Sequence, residues 1–208
     1  ICEIMNEDGS MSRLPELVAF AQLHNLKIGT IADLIAWRRK NDRFMERRVE
    51  APLNSGFGEG FKTVCFRNAL DNSEHIAIVH GDITPDSTTL VRVHRMDVLS
   101  DVLGENGPRQ GLVGRAMRMI ADADEPGVIV FVNTIRPNVI AERLGLKPSA
   151  PADPTAPIRE YGVGAQILRD LGVRKMIYLS GTQPTRLAGL DGYGLSIEGW
   201  RKLDEESN

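Results

Sequence analysis

LVGRAMRMIADADEPGVIVFVN, residues 112–133, sets a helix directly ahead of a strand. Apolar residues spaced through Leu112 to Ala123 suit one face of a helix. The unbroken apolar run from Gly127 to Asn133 is too short for a helix of ordinary length and suits a strand covered on both faces. Working outward, the spacing predicts helices over Asn138–Leu146 and Glu160–Leu171, a strand over Lys175–Ser180 and a helical turn over Pro184–Leu190. On the N-terminal side, Phe61–Arg67, His75–Val79 and Leu90–His94 read as strands, with Asp71–Asn72–Ser73 as a hairpin-like turn. Strands alternating with helices predict an α/β domain.

Further out the signals thin. Leu53–Gly60 (LNSGFGEG) reads as a loop, because its glycines follow G-x-G-x-G and fit no phosphate-binding fingerprint. Lys147–Ile158 (KPSAPADPTAPI) carries four prolines, which predicts an irregular, exposed segment. Residues 13–24 predict a short helix with Pro15 in its first turn, and Thr30 followed by Asp33 resembles a shortened capping box opening a second. The basic run through Arg38, Arg39, Lys40, Arg43, Arg47 and Arg48 reads as a solvated helix face and linker, and the last five residues as an acidic tail.

Composition narrows the function classes. The 208 residues are 42% hydrophobic and 25% charged, which excludes a wholly disordered chain and supplies a sizeable core. A formal net charge of −3 gives no footprint for a nucleic-acid partner. No apolar run approaches the ~20 residues that cross a bilayer, so no membrane partner is expected. Cys2 and Cys65 are too few for a disulfide scaffold, and a cytoplasmic location is the expectation. The opening Ile1-Cys2-Glu3 lacks an initiator Met and any targeting signature, so the chain is expected to begin within a longer protein.

Sites of chemistry are sparse in the residues themselves. His24, His75, His80 and His94 lie singly, and the odd spacing of His75 and His80 puts them on opposite faces of a strand. No nucleophile elbow and no phosphate-binding loop of the G-x-x-x-x-G-K-[ST] type occur. Arg159–Gln166 reads as a Gly-rich turn opening a helix, which could hold an anion on backbone N–H groups and an arginine; on chemistry alone the preferred reading is that Gly162 and Gly164 serve a tight turn and close helix packing.

Two resemblances stand on longer matches. Residues 1–39, with CEIMNEDG, Met-Ser-Arg at 11–13 and HNLKIGTIADLI in order, closely resemble the C-terminal end of 3,4-dihydroxy-2-butanone 4-phosphate synthase. From EHIAIVHGDI through LVRVH to REYGVGAQILRDLGV and LDGYGL, the chain resembles GTP cyclohydrolase II, in the order found in bifunctional riboflavin biosynthesis proteins. The resemblance implies a cyclohydrolase II-like mixed sheet with flanking helices, preceded by a helical tail of the synthase. It places the synthase end at residues 1–48 and the cyclohydrolase-like domain at 49–208.

The first resemblance implies a lyase that converts ribulose 5-phosphate to butanone phosphate and formate with magnesium or manganese. Glu3 matches the family glutamate that contacts substrate and moves protons, a task suited to a carboxylate. The rest of that site would lie upstream of Ile1, so this chain holds one piece of it. The second resemblance implies zinc held by C-x₁₀-C-x-C, activating water. Here the first cysteine's place falls at Asp97, read as a solvated loop acid, and the later pair's around Gly107–Arg109. The family's R-Q-E-G-R-G-I-G is matched by Asn133–Ile140, and its aspartate base by Pro157. Arg159 matches the family arginine that attacks phosphate, and Arg186 matches its phosphate-binding lysine if one residue is inserted.

The expectation is therefore a synthase carrying a cyclohydrolase-like domain without zinc or catalysis, in a structural, dimerising or regulatory role, as a homodimer. Zinc-bound water has a pKa near ~7 against ~15.7 for free water, so losing the ion removes most hydrolytic rate. Two rivals stand beside it. One is an active cyclohydrolase with a rebuilt metal site drawn from His94, Asp97, Asp101 and Glu105. The other is a module that binds GTP or phosphate without turnover through Arg159, Arg186 and Gly162–Gly164.

Overall fold

The computed structural model describes residues 2–30, 33–34, 37–38, 42–133, 138–147, 156–182 and 190–203, with backbone alone at 156–161 and 191. The chain divides into two compact units, Ile1–Asp42 and Arg43–Asn208.

The first unit is held by local hydrogen bonds. Asp8 accepts from the Ser10 backbone N–H at 2.9 Å and from its hydroxyl at 2.6 Å, and Met5 bridges Met11 across the turn so formed. Helix α1 (Leu14–Leu23) has Pro15 in its first turn, where no N–H partner is lost, and the Arg13 N–H donates to the Glu16 carboxylate at 2.9 Å. It ends where Asn25 turns into the left-handed region at φ 49° and the Leu26 N–H returns to the Ala21 carbonyl. The Thr30–Asp33 pair is the expected reciprocal cap: the Asp33 N–H donates to the Thr30 hydroxyl oxygen at 3.0 Å and that hydroxyl donates to the Asp33 carboxylate at 2.7 Å. Asp33, Leu34, Trp37 and Arg38 are helical behind it.

The second unit is a seven-stranded mixed sheet in the order β1-β2-β3-β5-β4-β6-β7. Its strands are β1 (Met45–Ser55), β2 (Gly58–Asn68), β3 (Glu74–His80), β4 (Thr88–Arg95), β5 (Gly127–Val132), β6 (Lys175–Ser180) and β7 (Ser196–Lys202). The first three pair antiparallel and β3 meets β5 antiparallel, while β5-β4, β4-β6 and β6-β7 are parallel. Helices α2 (Val98–Asp101), α3 (Leu112–Ala121), α4 (Val139–Arg143) and α5 (Ala156–Asp170) join the parallel strands. The apolar run of β5 is explained by burial on both sides. Ile129 shares one core with Leu90, Leu179 and the α3 residues Leu112, Ala116 and Ile120, while Val128 and Val130 share the other with Val91 and the α5 residues Ala165 and Leu168.

Crossovers from β4 to β5 and from β5 to β6 therefore run over opposite faces of the sheet. The connection leaving β4 runs to β5 on one side and that leaving β6 runs to β7 on the other, so the carboxyl ends of β4 and β6 flank the switch point at which α/β sheets open a crevice.

Several expectations need correction. Residues 43–48 are no linker: β1 begins at Met45 and runs past Arg48, and the compact units divide at Asp42/Arg43. The strand is hidden in the sequence because it is an edge strand bristling with charge, tied by Arg67–Glu46 at 2.8 Å and Lys62–Glu50 at 3.0 Å. Leu53–Gly60 is a tight hairpin rather than a loop, with Leu53 opposite Phe61 and Ser55 opposite Gly58. Gly58 sits at φ 148°, and a Cβ there would stand 2.6 Å from that of Ala121, so the hairpin needs glycine. The expected helix at 160–171 starts earlier, taking Ala156, Pro157 and Ile158 out of the proline-rich segment, whose residues 148–155 lie outside the described ones. Strand β7 and α2 were not foreseen. The acidic tail and most of the expected turn at 184–190 lie outside the described residues.

Gly162 and Gly164 lie inside α5 rather than at a turn opening it, so their N–H groups belong to the helix ladder and cannot form an anion nest. Their purpose is close packing. A Cβ at Gly164 would approach Val93 Cγ1 at 3.2 Å, and one at Gly162 would approach the Tyr193 hydroxyl at 3.2 Å.

Candidate functional site

The carboxyl end of β4 carries the polar chemistry of the second unit. Strand periodicity sends Arg92 and His94 to the α3 face, where both are buried. The Arg92 guanidinium donates from Nε at 3.3 Å and Nη2 at 3.1 Å to His94 Nδ1, and from Nη1 to the Leu179 carbonyl at 3.1 Å. A guanidinium can only donate, so Nδ1 is an acceptor and the ring proton sits on Nε2. That proton is donated to the Asp101 carboxylate at 2.9 Å, which also takes the Asp97 N–H at 2.7 Å. Burial holds the His94 pKa below its ordinary value; the Asp101 hydrogen bond opposes this and the Arg92 charge reinforces it. The three side chains form a relay with a neutral imidazole at its centre.

Asp97 is not the solvated loop acid expected. One carboxylate oxygen accepts the Leu99 N–H at 3.0 Å and the Ser100 N–H at 3.3 Å, capping α2. The other accepts Arg143 Nε at 3.1 Å, and the same guanidinium pairs with Glu105. Burial pushes the Asp97 pKa up, but the bonds from Arg143 and the two amides outweigh it and hold the group below the usual carboxylate range. Further along the loop, Arg109 Nη2 donates to the Arg95 carbonyl at 2.7 Å. Next to this network a cavity of about 330 Å³ lies between Phe57, Met96, Val98 and Phe131, with Asp97 and Asp101 on its polar side.

These residues do not fit a zinc ion. Both Asp97 oxygens are engaged, Arg109 brings a fixed positive charge to the stretch matching the cysteine pair, and among the described residues no three of His, Cys, Asp and Glu cluster to hold a metal. Arg143 instead bridges Asp97 and Glu105 across that stretch, so an ion-pair clasp spans the loop.

Other expected site residues are dispersed. Glu3 is exposed in the first unit, in the irregular segment before the Met5 bridge. Arg159 and Pro157 fall in the first turns of α5, where the backbone alone is described, and Arg186 lies outside the described residues. Of Asn133–Ile140, Asn133 donates its N–H to His75 Nδ1 at 3.2 Å, Asn138 opens α4 at φ 64°, and 134–137 lie outside. Sequence reasoning set His94 and Asp101 together only as candidate metal ligands and passed over Arg92. The relay's signal was the placement, two residues apart, of Arg92 and His94 in an otherwise apolar strand. Arg143 carried no local signal.

Comparison with known proteins assigns both parts of the chain. The GTP cyclohydrolase II family profile matches residues 46–202, and that of 3,4-dihydroxy-2-butanone 4-phosphate synthase matches residues 1–37. The chain is 42% identical over 200 residues to a 3,4-dihydroxy-2-butanone 4-phosphate synthase of Pseudomonas aeruginosa, covering 95% of this chain and 54% of that protein. It is 39% identical to the riboflavin biosynthesis protein RibBA of Bacillus subtilis, covering 95% of this chain and 52% of that one. To the monofunctional riboflavin biosynthesis protein RIBA 2 of Arabidopsis thaliana it is 45% identical, covering 96% and 42%. Among solved structures, a two-domain 3,4-dihydroxy-2-butanone 4-phosphate synthase, RibBX of A. baumannii, superposes with a TM-score of 0.60 at 33% identity, covering 96% of this chain and 53% of that chain. The chain thus spans about half the length of the relatives it matches.

Proposed function

This chain belongs to the GTP cyclohydrolase II family, and from that premise we propose that it is the C-terminal portion of a riboflavin-pathway 3,4-dihydroxy-2-butanone 4-phosphate synthase whose cyclohydrolase-like domain no longer opens GTP. The whole protein is then a lyase acting on ribulose 5-phosphate with magnesium or manganese, Glu3 contributing one carboxylate to a site completed upstream. The domain from residue 43 onward serves a structural or regulatory role, in a homodimer.

One observation carries the loss of hydrolysis: the aspartate at the first metal-cysteine position is consumed by a helix cap and an ion pair to Arg143. A carboxylate so engaged must give up about three hydrogen bonds before it can ligate, and a single carboxylate beside Arg109 makes a poor zinc ligand set. Without a Lewis acid, water keeps its pKa of about 15.7 and supplies little hydroxide at neutral pH.

The test is metal analysis and turnover on one preparation of the full-length protein. The expected result is substoichiometric zinc, no formate or pyrophosphate from GTP, and formate from ribulose 5-phosphate with magnesium. Stoichiometric zinc together with formate and pyrophosphate released from GTP overturns the reading.

A further inference from the structure

In the loop between α2 and α3, Asn106 stands directly before Gly107, the one place in the chain where an asparagine precedes a glycine. Such a pair can react with itself. The glycine backbone nitrogen, on losing its proton, attacks the asparagine side-chain carbonyl and closes a succinimide ring, while the C–N bond to the side-chain amide breaks and ammonia leaves. Water then opens the imide at either carbonyl. The products are an aspartate and its β-linked isomer, in which the main chain runs through the side-chain carbon. Glycine favours the attack because no Cβ crowds the nitrogen or restricts the backbone angles that the ring requires.

The fold decides which pairs can close that ring, since nitrogen and carboxamide must be free to approach one another. Asn106 is exposed and lies, with Gly107, outside any helix or strand. Among the described residues its carboxamide has no hydrogen-bond partner and the Gly107 N–H no acceptor. A Cβ on Gly107 would meet nothing within 4 Å, so the space that the ring needs is open. Comparable pairs elsewhere are held. In Asp8-Gly9 the Gly9 N–H donates to the Asn6 carbonyl at 2.9 Å, and the Asp8 carboxylate is taken by Ser10. In Asn72-Ser73 the Ser73 N–H donates to the Asp71 carboxylate at 2.9 Å. Asn54-Ser55 belongs to β1, where pairing with β2 keeps the backbone extended.

We propose that Asn106 is a site of spontaneous deamidation through a succinimide formed with Gly107, by which the loop spanned by the Arg143 clasp acquires a carboxylate as the protein ages. The neighbouring Glu105 shares Arg143 with Asp97. The aspartate product puts another negative charge beside that pair, and the β-linked product lengthens the main chain next to Glu105. The modification needs only water and is independent of whether the domain opens GTP.

The experiment is incubation of the full chain at pH 7, 8 and 9, both native and in urea, followed by proteolysis in acid and mass spectrometry of the Asn106 peptide. Each conversion of amide to acid adds about 1 Da. The expected result is that gain at Asn106 in the native protein, rising about tenfold per pH unit because the nucleophile is the deprotonated amide, with the β-linked isomer among the products. Over the same interval Asn54 and Asn72 stay unmodified in the native protein and react only in urea. Asn106→Gln, which needs a larger and slower-forming ring, removes the gain and leaves the melting temperature unchanged. An Asn106 that reacts in urea but not in the native protein overturns the site, because the loop then protects it. Aspartate without the isomer overturns the imide route. Equal native rates at Asn72 and Asn106 overturn the part given to the free Gly107 N–H.

Discussion

The two units of this chain treat their apolar residues in opposite ways. In the first, Leu23 is 79% exposed and Trp37 61%, and Ala21 is the buried hydrophobic residue of α1. In the second, Leu90, Ile129 and Leu179 are fully enclosed between the sheet and its helices. Some forty residues fall near the lower limit for a self-sufficient core, whereas a seven-stranded sheet has two faces to cover and helices for each. Local hydrogen bonds shape the first unit; burial shapes the second.

That contrast is most directly broken by truncating one apolar side chain in each. Ile129→Ala is expected to cost about 2–5 kcal/mol in urea denaturation, and Leu23→Ala less than about 0.5 kcal/mol. Comparable losses would show that the first unit has a packed face within this chain.

Acid separates the units next. Burial lowers the His75 pKa, opposed by Asp71, as it lowers that of His94. Both rings are held neutral: His75 Nδ1 accepts the Asn133 N–H at 3.2 Å, and its Nε2 faces the Ser73 hydroxyl at 3.0 Å. With folded values below the unfolded one of about 6.5, unfolding takes up protons as pH drops below that point. Stability is then full above it and declines below it, by up to about 1.4 kcal/mol per pH unit for each histidine. Denaturation midpoints between pH 8 and 5 check this, and the double variant His75→Gln, His94→Gln should flatten the slope.

Glycines sharpen the same comparison at lower cost. A Cβ on Gly127 would stand 2.4 Å from Ile120 Cγ2, whereas one on Gly29 meets nothing within 4 Å. Gly127→Ala should destabilise by about 1–3 kcal/mol through overpacking, and Gly29→Ala by almost nothing. Thermal melts of the two variants distinguish them.

The smallest effect concerns the clasp. Asp97→Ala removes the α2 cap and the Arg143 pair and should cost about 1 kcal/mol. Asp97→Asn keeps the cap and should cost about half that, with the difference shrinking in high salt because Arg143 is partly exposed. A salt-independent difference would show that the pair is not electrostatic in origin.

Legibility followed the nature of each interaction. β3, β4, β5, β6 and α3 were readable because period and apolarity are local records of burial. β1 was missed because its stability comes from pairing with β2 and from ion pairs to distant residues such as Asp170, at 3.0 Å from Arg47. The close packing read at Gly162 and Gly164 stands, against Tyr193 and Val93, whereas the turn read with it does not, because glycine serves a turn and a tight helix contact equally. Asp97 was singled out for the right position but with the wrong surroundings, since Arg143 lies 46 residues away.

From residue order alone came the family resemblance, the α/β class and the substitutions at the sulfur positions, since each is written in local pattern and side-chain identity. Tertiary structure decided what those substitutions became. Whether Asp97 would be a free ligand or a spent cap depends on which strand ends and helix turns are brought together. Proximity between residues distant along the chain is set by the packing of the whole sheet, which no short stretch encodes.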